Sequence, residues 1–270
     1  MTRPIRVRSG LVGAGRVPLV CTPIVGRTRG ELLTELAAVA AKRPDLIEWR
    51  ADFFADIAQR GRVLDMAAAI RAGVGTGAGG IPIIFTIRSK REGGEAVSLN
   101  DAQITALNVA VCEAQAVELI DFEISSDPQH IHQVRAAARA SDTQLILSYH
   151  NFRETPDGEA IYAQFLQARD LGGDIGKVAV MPRVPGDVLT LLGATLRAHH
   201  SLGLPLIGIS MGEYGALTRL FGHVFGSSVT FAVGQGSSAP GQISIEELTT
   251  VLGILQRALA GKTIQLSTTR

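Results

Sequence analysis

Eight short apolar runs rich in β-forming residues recur along the 270-residue chain, and a longer stretch with helical spacing follows each of them. The runs cover 17–25, 45–50, 81–88, 117–124, 143–150, 174–181, 204–210 and 228–233. Among the stretches between them are "RGELLTELAAVAAK" (29–42) and "DVLTLLGATLRAHH" (187–200). The last, "SIEELTTVLGILQRAL" (244–259), opens on Ser244 with Glu247 three residues on, the pattern of a capping box. Eight strand–helix units in a chain of this length predict a (β/α)8 TIM barrel. A doubly wound open sheet is the alternative that the same units allow. No linker or low-complexity block divides the chain, so residues 1–270 read as one domain with an N-terminal extension over about 1–16.

Charge and composition narrow the partners. A net charge of +1 supplies no electrostatic footprint for nucleic acid or an anionic membrane surface. No apolar run reaches the roughly 18–20 residues that span a bilayer. The first residues, "MTRPIRVRSGLVGAGR", lack the apolar core of a secretory signal. Cys21 and Cys112 both lie in apolar segments and form no paired motif. Free buried thiols and a reducing cytoplasm are expected from that usage.

Common motifs are mostly absent. "GVGTGAGG" (73–80) contains a literal GxGxxG from Gly75 to Gly80, but it follows a helix and precedes a strand. The dinucleotide fingerprint needs the reverse order, so a loop on the far face of the barrel is expected there. No HExxH, paired-cysteine motif, GxSxG elbow or P-loop occurs. Of six histidines, all but His150 fall in helical stretches or at their ends; "HIH" (130–132) follows "SSDP" at a helix start. No metal is expected.

Side chains alternate along a strand, so residues two apart share a face. In "DLIEWR" (45–50), Ile47 and Trp49 suit the helix-facing side, which turns Glu48 and Arg50 toward the barrel axis. The same test places Thr86 and Arg88 inward from the third strand, Asp121 and Glu123 from the fourth and Ser148 and His150 from the fifth. It places Lys177 inward from the sixth, with Ala179 beyond it. Five strands thus send polar groups to the axis, mostly toward their C-terminal ends, where barrel enzymes build their sites.

Lys177 stands in the apolar "GGDIGKVAVMP" (172–182), and a buried ammonium without a partner is costly. Two readings stay open at this point. A neutral amine attacks carbonyl carbon to form an imine, and a histidine nearby can move protons for it. Alternatively, Lys177 pairs with Asp121 or Glu123 as an ion pair of the core.

Seven segments then resemble, in order and spacing, type I 3-dehydroquinate dehydratases. They are "PIVG" (23–26), "DLIEWRAD" (45–52), "FTIRSKREGGE" (85–95), "LSYHNFRETP" (147–156), "DIGKVAVMP" (174–182), "SMGEYGALTRLFGHVFGS" (210–227) and "SSAPGQIS" (237–244). The resemblance implies a (β/α)8 barrel, usually a homodimer, that dehydrates the small acid 3-dehydroquinate to 3-dehydroshikimate with neither metal nor cofactor. It implies that Lys177 forms the imine, that His150 is the general base and acid, and that Glu92 orients His150. It further implies that Glu48, Arg50 and Arg88 hold substrate hydroxyls, that Arg219 binds the substrate carboxylate, and that Ser238 and Gln242 belong to a loop that folds over the substrate. The chain departs from the family in carrying Gly176 where proline is common. A class I aldolase would use the same lysine to cleave a C–C bond, and a ligand sensor would keep the pocket without turnover.

Overall fold

A computed structural model describes residues 4–7, 10–13, 17–75, 79–235 and 243–259. Strands and helices alternate through it: β1 Leu19–Ile24, α1 Arg29–Ala41, β2 Leu46–Arg50, α2 Arg60–Val74, β3 Ile83–Thr86, α3 Asp101–Glu113, β4 Leu119–Glu123 and α4 Pro128–Ala140. They continue as β5 Gln144–Asn151, α5 Gly158–Asp170, β6 Ile175–Val180, α6 Pro185–Leu202, β7 Leu206–Ser210, α7 Ala216–Phe221, β8 Val229–Val233 and α8 Ile245–Leu259. Neighbours in sequence pair in parallel from β1 through β7, and β8 pairs with β1.

The ring closes most thinly between β7 and β8. An isolated parallel bridge joins Leu206 to Ser227. Beside it the Ser227 hydroxyl accepts the Gly208 amide at 3.2 Å and donates to the Val229 carbonyl at 3.2 Å. A side chain thereby satisfies ladder groups that strand pairing leaves over. The fold is the expected (β/α)8 barrel and not the open sheet.

Helix starts follow the sequence chemistry. Thr28 and Glu31 form a reciprocal capping box at α1, and Ser244 accepts the Glu247 amide at 3.2 Å at α8. The GxGxxG segment begins at the end of α2, where Gly75 has φ +88°, and leads into β3; residues 76–78 lie outside the described set. Gly75, Gly79 and Gly80 therefore sit at the N-terminal end of the strands, away from their C-terminal rim. Among the described residues no helix is long and apolar enough to cross a membrane.

Two apolar layers result from strand alternation. The outer one packs strands on helices, with Trp49 edge-on to Phe54 and Phe85 at 5.9 and 5.3 Å between ring centroids. The inner one gathers Cys21, Leu46, Ile84, Leu119, Ile146 and Ile175 at the N-terminal ends of their strands. Two short antiparallel strands, Ile5–Val7 and Gly10–Val12, add Val7 and Val12 to this inner cluster. The segment expected as an extension thus includes a hairpin that plugs the bottom of the barrel. Cys21 and Cys112 are free and buried.

Candidate active site

One residue pair up β2 through β6 from that apolar floor, the inward positions become polar. Register makes them neighbours: Thr86 lies opposite Asp121, Glu123 opposite Ser148, and Ser148 opposite Lys177. The apolar floor beneath offers these buried charges no polar partners, so they must find them in one another.

Lys177 is 4% exposed, and its Nζ donates to Asp121 Oδ2 at 2.8 Å. Glu48 Oε1 lies 3.5 Å from the same nitrogen and accepts the Thr86 hydroxyl at 3.0 Å. The face of Phe231 is 4.9 Å from Nζ, a cation–π distance. Asp121 is shared: its Oδ1 accepts from Arg88 Nη2 at 2.6 Å and from the Ser148 hydroxyl at 2.6 Å. Burial alone would raise the Asp121 pKa, but Arg88 and Lys177 outweigh it and hold the carboxyl well below its usual range. Arg88 also reaches Glu123 at 3.2 Å and Glu92 at 3.7 Å. Burial works against its charge, yet these carboxylates raise its pKa further. The ion-pair reading of Lys177 is therefore realised with Asp121, in a setting where the same lysine faces a cavity.

That cavity occupies about 480 Å³, its open mouth included. Glu48, Arg50, Arg88, Glu92, His150, Lys177 and Arg219 all line it. Every expected site residue within the described set is thus brought to one place; Ser238 and Gln242 lie outside that set. Ala179, two residues beyond the lysine on the same face, lines it as well, and its small side chain leaves the space open.

His150 sits at one wall with Nδ1 3.0 Å from Glu92 Oε2, which also accepts the His150 amide at 3.0 Å. Ser125 donates to the other Glu92 oxygen at 2.8 Å. Burial, then repulsion by Arg88 and Lys177, holds the His150 pKa well below the ordinary histidine value. Its ring is thus neutral near pH 7, the form a base requires. Glu92 is pushed up to about 7, by burial first and against the pull of Arg88, with Glu123 adding to the rise. When Glu92 is ionised it accepts from Nδ1–H and leaves the lone pair on Nε2.

Two arginines complete the rim. Arg50 gives both arms of its fork to Asp52, Nε to Oδ1 at 2.8 Å and Nη2 to Oδ2 at 2.7 Å. Arg219, on α7, donates to the Phe231 carbonyl at 3.2 Å, and burial lowers its pKa to about 10. Gly176 lies inside β6, where its amide donates to the Pro205 carbonyl at 3.1 Å. A Cβ there would come within 3.3 Å of Phe165 on α5, so the glycine admits close helix packing. Paired strands on both sides hold the backbone that aims Lys177.

The sequence reading passed over several cavity residues. Phe152, Ile209, Met211 and Phe231 add apolar surface to the lining, with Phe231 beside the Lys177 ammonium. Alternation along "SVTFAV" (228–233) carries the signal for Phe231, because Val229 and Phe231 share the inward face. Phe152 and Met211 follow the ends of β5 and β7, where period-two reasoning stops.

A closed parallel barrel whose strand ends carry buried acids, bases and arginines around one cavity belongs to the enzymes of the (β/α)8 class. The model of one family, type I 3-dehydroquinase, matches residues 20–258. The chain is 52% identical to the 3-dehydroquinate dehydratase of Albidiferax ferrireducens over 258 residues, covering 96% of each. It is 50% identical to that of Aromatoleum aromaticum over 262 residues, 97% of this chain and 99% of the relative. The crystal structure of 3-dehydroquinate dehydratase from Geobacillus kaustophilus superposes with a TM-score of 0.90 at 47% identity, covering 94% of this chain and 97% of that one. A type I enzyme from Clostridium difficile, crystallised with covalently modified comenic acid, gives 0.90 at 35% identity over 96% of this chain and 100% of that one. The chain belongs to the type I 3-dehydroquinase family.

Proposed function

We propose that the protein dehydrates 3-dehydroquinate to 3-dehydroshikimate through an imine on Lys177. The observation that carries this reading is the cavity that Lys177 shares with a neutral histidine already paired to Glu92. The lysine must first give up a proton. Asp121, kept anionic mainly by Arg88 and Lys177 against the effect of burial, is a poor resting place for it. Glu48 Oε1, at 3.5 Å, is the other carboxylate in reach.

The amine then attacks the C3 ketone, and the carbinolamine loses water to give the imine. His150 takes a proton from C2, and the C–H electrons move into the enamine. The enamine expels the C1 hydroxyl as water, using the proton that His150 has just taken, so both groups leave from one face. A water molecule hydrolyses the new imine, releases product and restores the amine. The net change is loss of one water.

Arg219 supplies a fork for the substrate carboxylate, while Glu48, Arg50 and Arg88 meet its hydroxyls. Ser238 and Gln242 are proposed to close over the bound acid. No cofactor enters any step, and among the described residues no cluster of His, Cys, Asp and Glu is arranged to hold a metal. This chemistry serves the shikimate pathway or quinate breakdown in the cytoplasm, where the two thiols stay reduced.

Reduction with borohydride in the presence of 3-dehydroquinate or product tests the central step. An imine becomes a stable secondary amine, so the protein mass should rise by the reduced ligand and peptide mapping should place it on Lys177. An unchanged mass sinks the imine. Without borohydride, a conjugated enone should grow in the ultraviolet, which neither an aldolase nor a sensor would produce.

A homodimer is the proposed assembly. Leu217, Phe221 and Val224, at 44%, 36% and 47% exposure, lie on α7 and the turn after it as apolar surface that a second copy would cover. Light scattering should return twice the chain mass at micromolar concentration; a monomer mass would refute the assembly.

A further inference from the structure

The carboxylate of Asp52 is fully buried, lies outside the cavity lining, and is the joint acceptor for two parts of the rim. It stands in the single 3-10 turn Ala51–Phe53 directly after β2. One part is the Arg50 fork, bonded through both arms as described above. The other is the segment 88–95: the Arg88 amide donates to Oδ1 at 3.3 Å and the Glu95 amide to Oδ2 at 3.1 Å.

Between those two amides the chain makes a tight reversal. Ser89 caps the turn Lys90–Glu92, and the Gly94 amide returns to the Ser89 carbonyl at 2.9 Å. A Cβ on Gly94 would fall 2.0 Å from the Arg88 carbonyl oxygen, so only glycine permits that approach. This reversal carries Arg88 and Glu92. Both ends of it, and Arg50, are therefore referred to the same two oxygen atoms.

From this geometry we propose that Asp52 is a positioning residue for the reaction: by engaging the fork it holds the Arg50 guanidinium at the cavity rim, and it clamps the 88–95 reversal that presents Arg88 and Glu92. The charge match is needed because an arginine buried this deeply points its donors wherever an anion waits. The Phe53 ring, 5.0 Å from the Arg50 guanidinium, adds a second restraint of the same sense.

The inference rests on the proposed dehydration, and the test separates the two. Kinetics are measured on the parent, Asp52→Asn, Arg50→Ala and the double variant with 3-dehydroquinate. Asp52→Asn keeps the volume but turns one acceptor into a donor facing donors. It is expected to raise KM by about tenfold to hundredfold, the size of effect a misplaced binding group produces, and to lower kcat as well through Glu92, which holds His150. In the Arg50→Ala background the same substitution should raise KM by clearly less than it does in the parent, because one of the two parts it holds is gone and only the 88–95 reversal is left to act through. An unchanged KM in Asp52→Asn, or an equal rise with Arg50 already removed, overturns the inference alone. A parent without turnover overturns the dehydration and the inference with it. Should Asp52→Asn fail to fold, Asp52→Glu, which keeps the charge and moves both oxygens by one methylene, gives the same readings.

Discussion

Lys177→Ala is expected to abolish turnover and the borohydride-trapped adduct together. No other amine in the described cavity lining can take over imine formation, because its remaining nitrogen bases are guanidinium groups and His150. The loss should exceed that of any single rim residue, since the covalent route itself disappears. Removing one partner of a buried ion pair typically costs about 3–5 kcal/mol, and that could mimic a catalytic loss. Here Asp121 keeps Arg88 and Ser148 as donors at 2.6 Å each, and Glu48 keeps Thr86. The variant should therefore stay folded, which circular dichroism and thermal melting verify. Folded Lys177→Ala with turnover at a tenth of the parent rate would rule out the imine route.

His150→Ala should separate what Lys177→Ala merges. Imine formation needs only proton traffic that water and nearby carboxylates can carry slowly, so an adduct should still be trapped. Abstraction at C2 needs a placed base, and turnover should fall by ~10²–10⁴. A variant as active as the parent would remove the histidine from the mechanism.

The pair also sets the acid limb of the parent profile. Glu92 has its pKa raised to about 7, chiefly by burial, so as pH falls through that value it takes up a proton. His150 then loses the anion that holds Nδ1–H. His150 itself, lowered by burial and by Arg88 and Lys177, charges only at more acid pH. The rate should therefore decline from about pH 7 downward, with an apparent pKa that belongs to the pair. A profile flat from pH 8 to 5 would contradict this coupling.

The inward faces of β2 through β6 are legible in the sequence. Alternation in "DLIEWR" alone separates Trp49, packed on Phe54 and Phe85, from Glu48 and Arg50 at the cavity. It also sent Asp121 inward beside Lys177, but it could not say that Asp121 is divided between Lys177 and Arg88. That division depends on β3, β4 and β6 arriving at one level. Glu92 and Asp52 lie in turns after their strands, where no period applies. Glu92 was reached only through likeness to known sequences, and the part played by Asp52 was not reached at all.

Short-range pattern therefore determined the eight strand–helix units, the polar and apolar faces of β2 through β6, and the presence of a lysine and a histidine among the polar ones. Those features follow from the pleat, which any five residues express on their own. The partners of each charge, the hairpin plug beneath the floor, the seam closed by Ser227 and the shared footing of Arg50 and the 88–95 reversal were decided by the folded chain. Each joins residues far apart in sequence whose meeting is set by closure and register, and hydrogen bonds and charges act over only a few ångströms once that meeting has occurred.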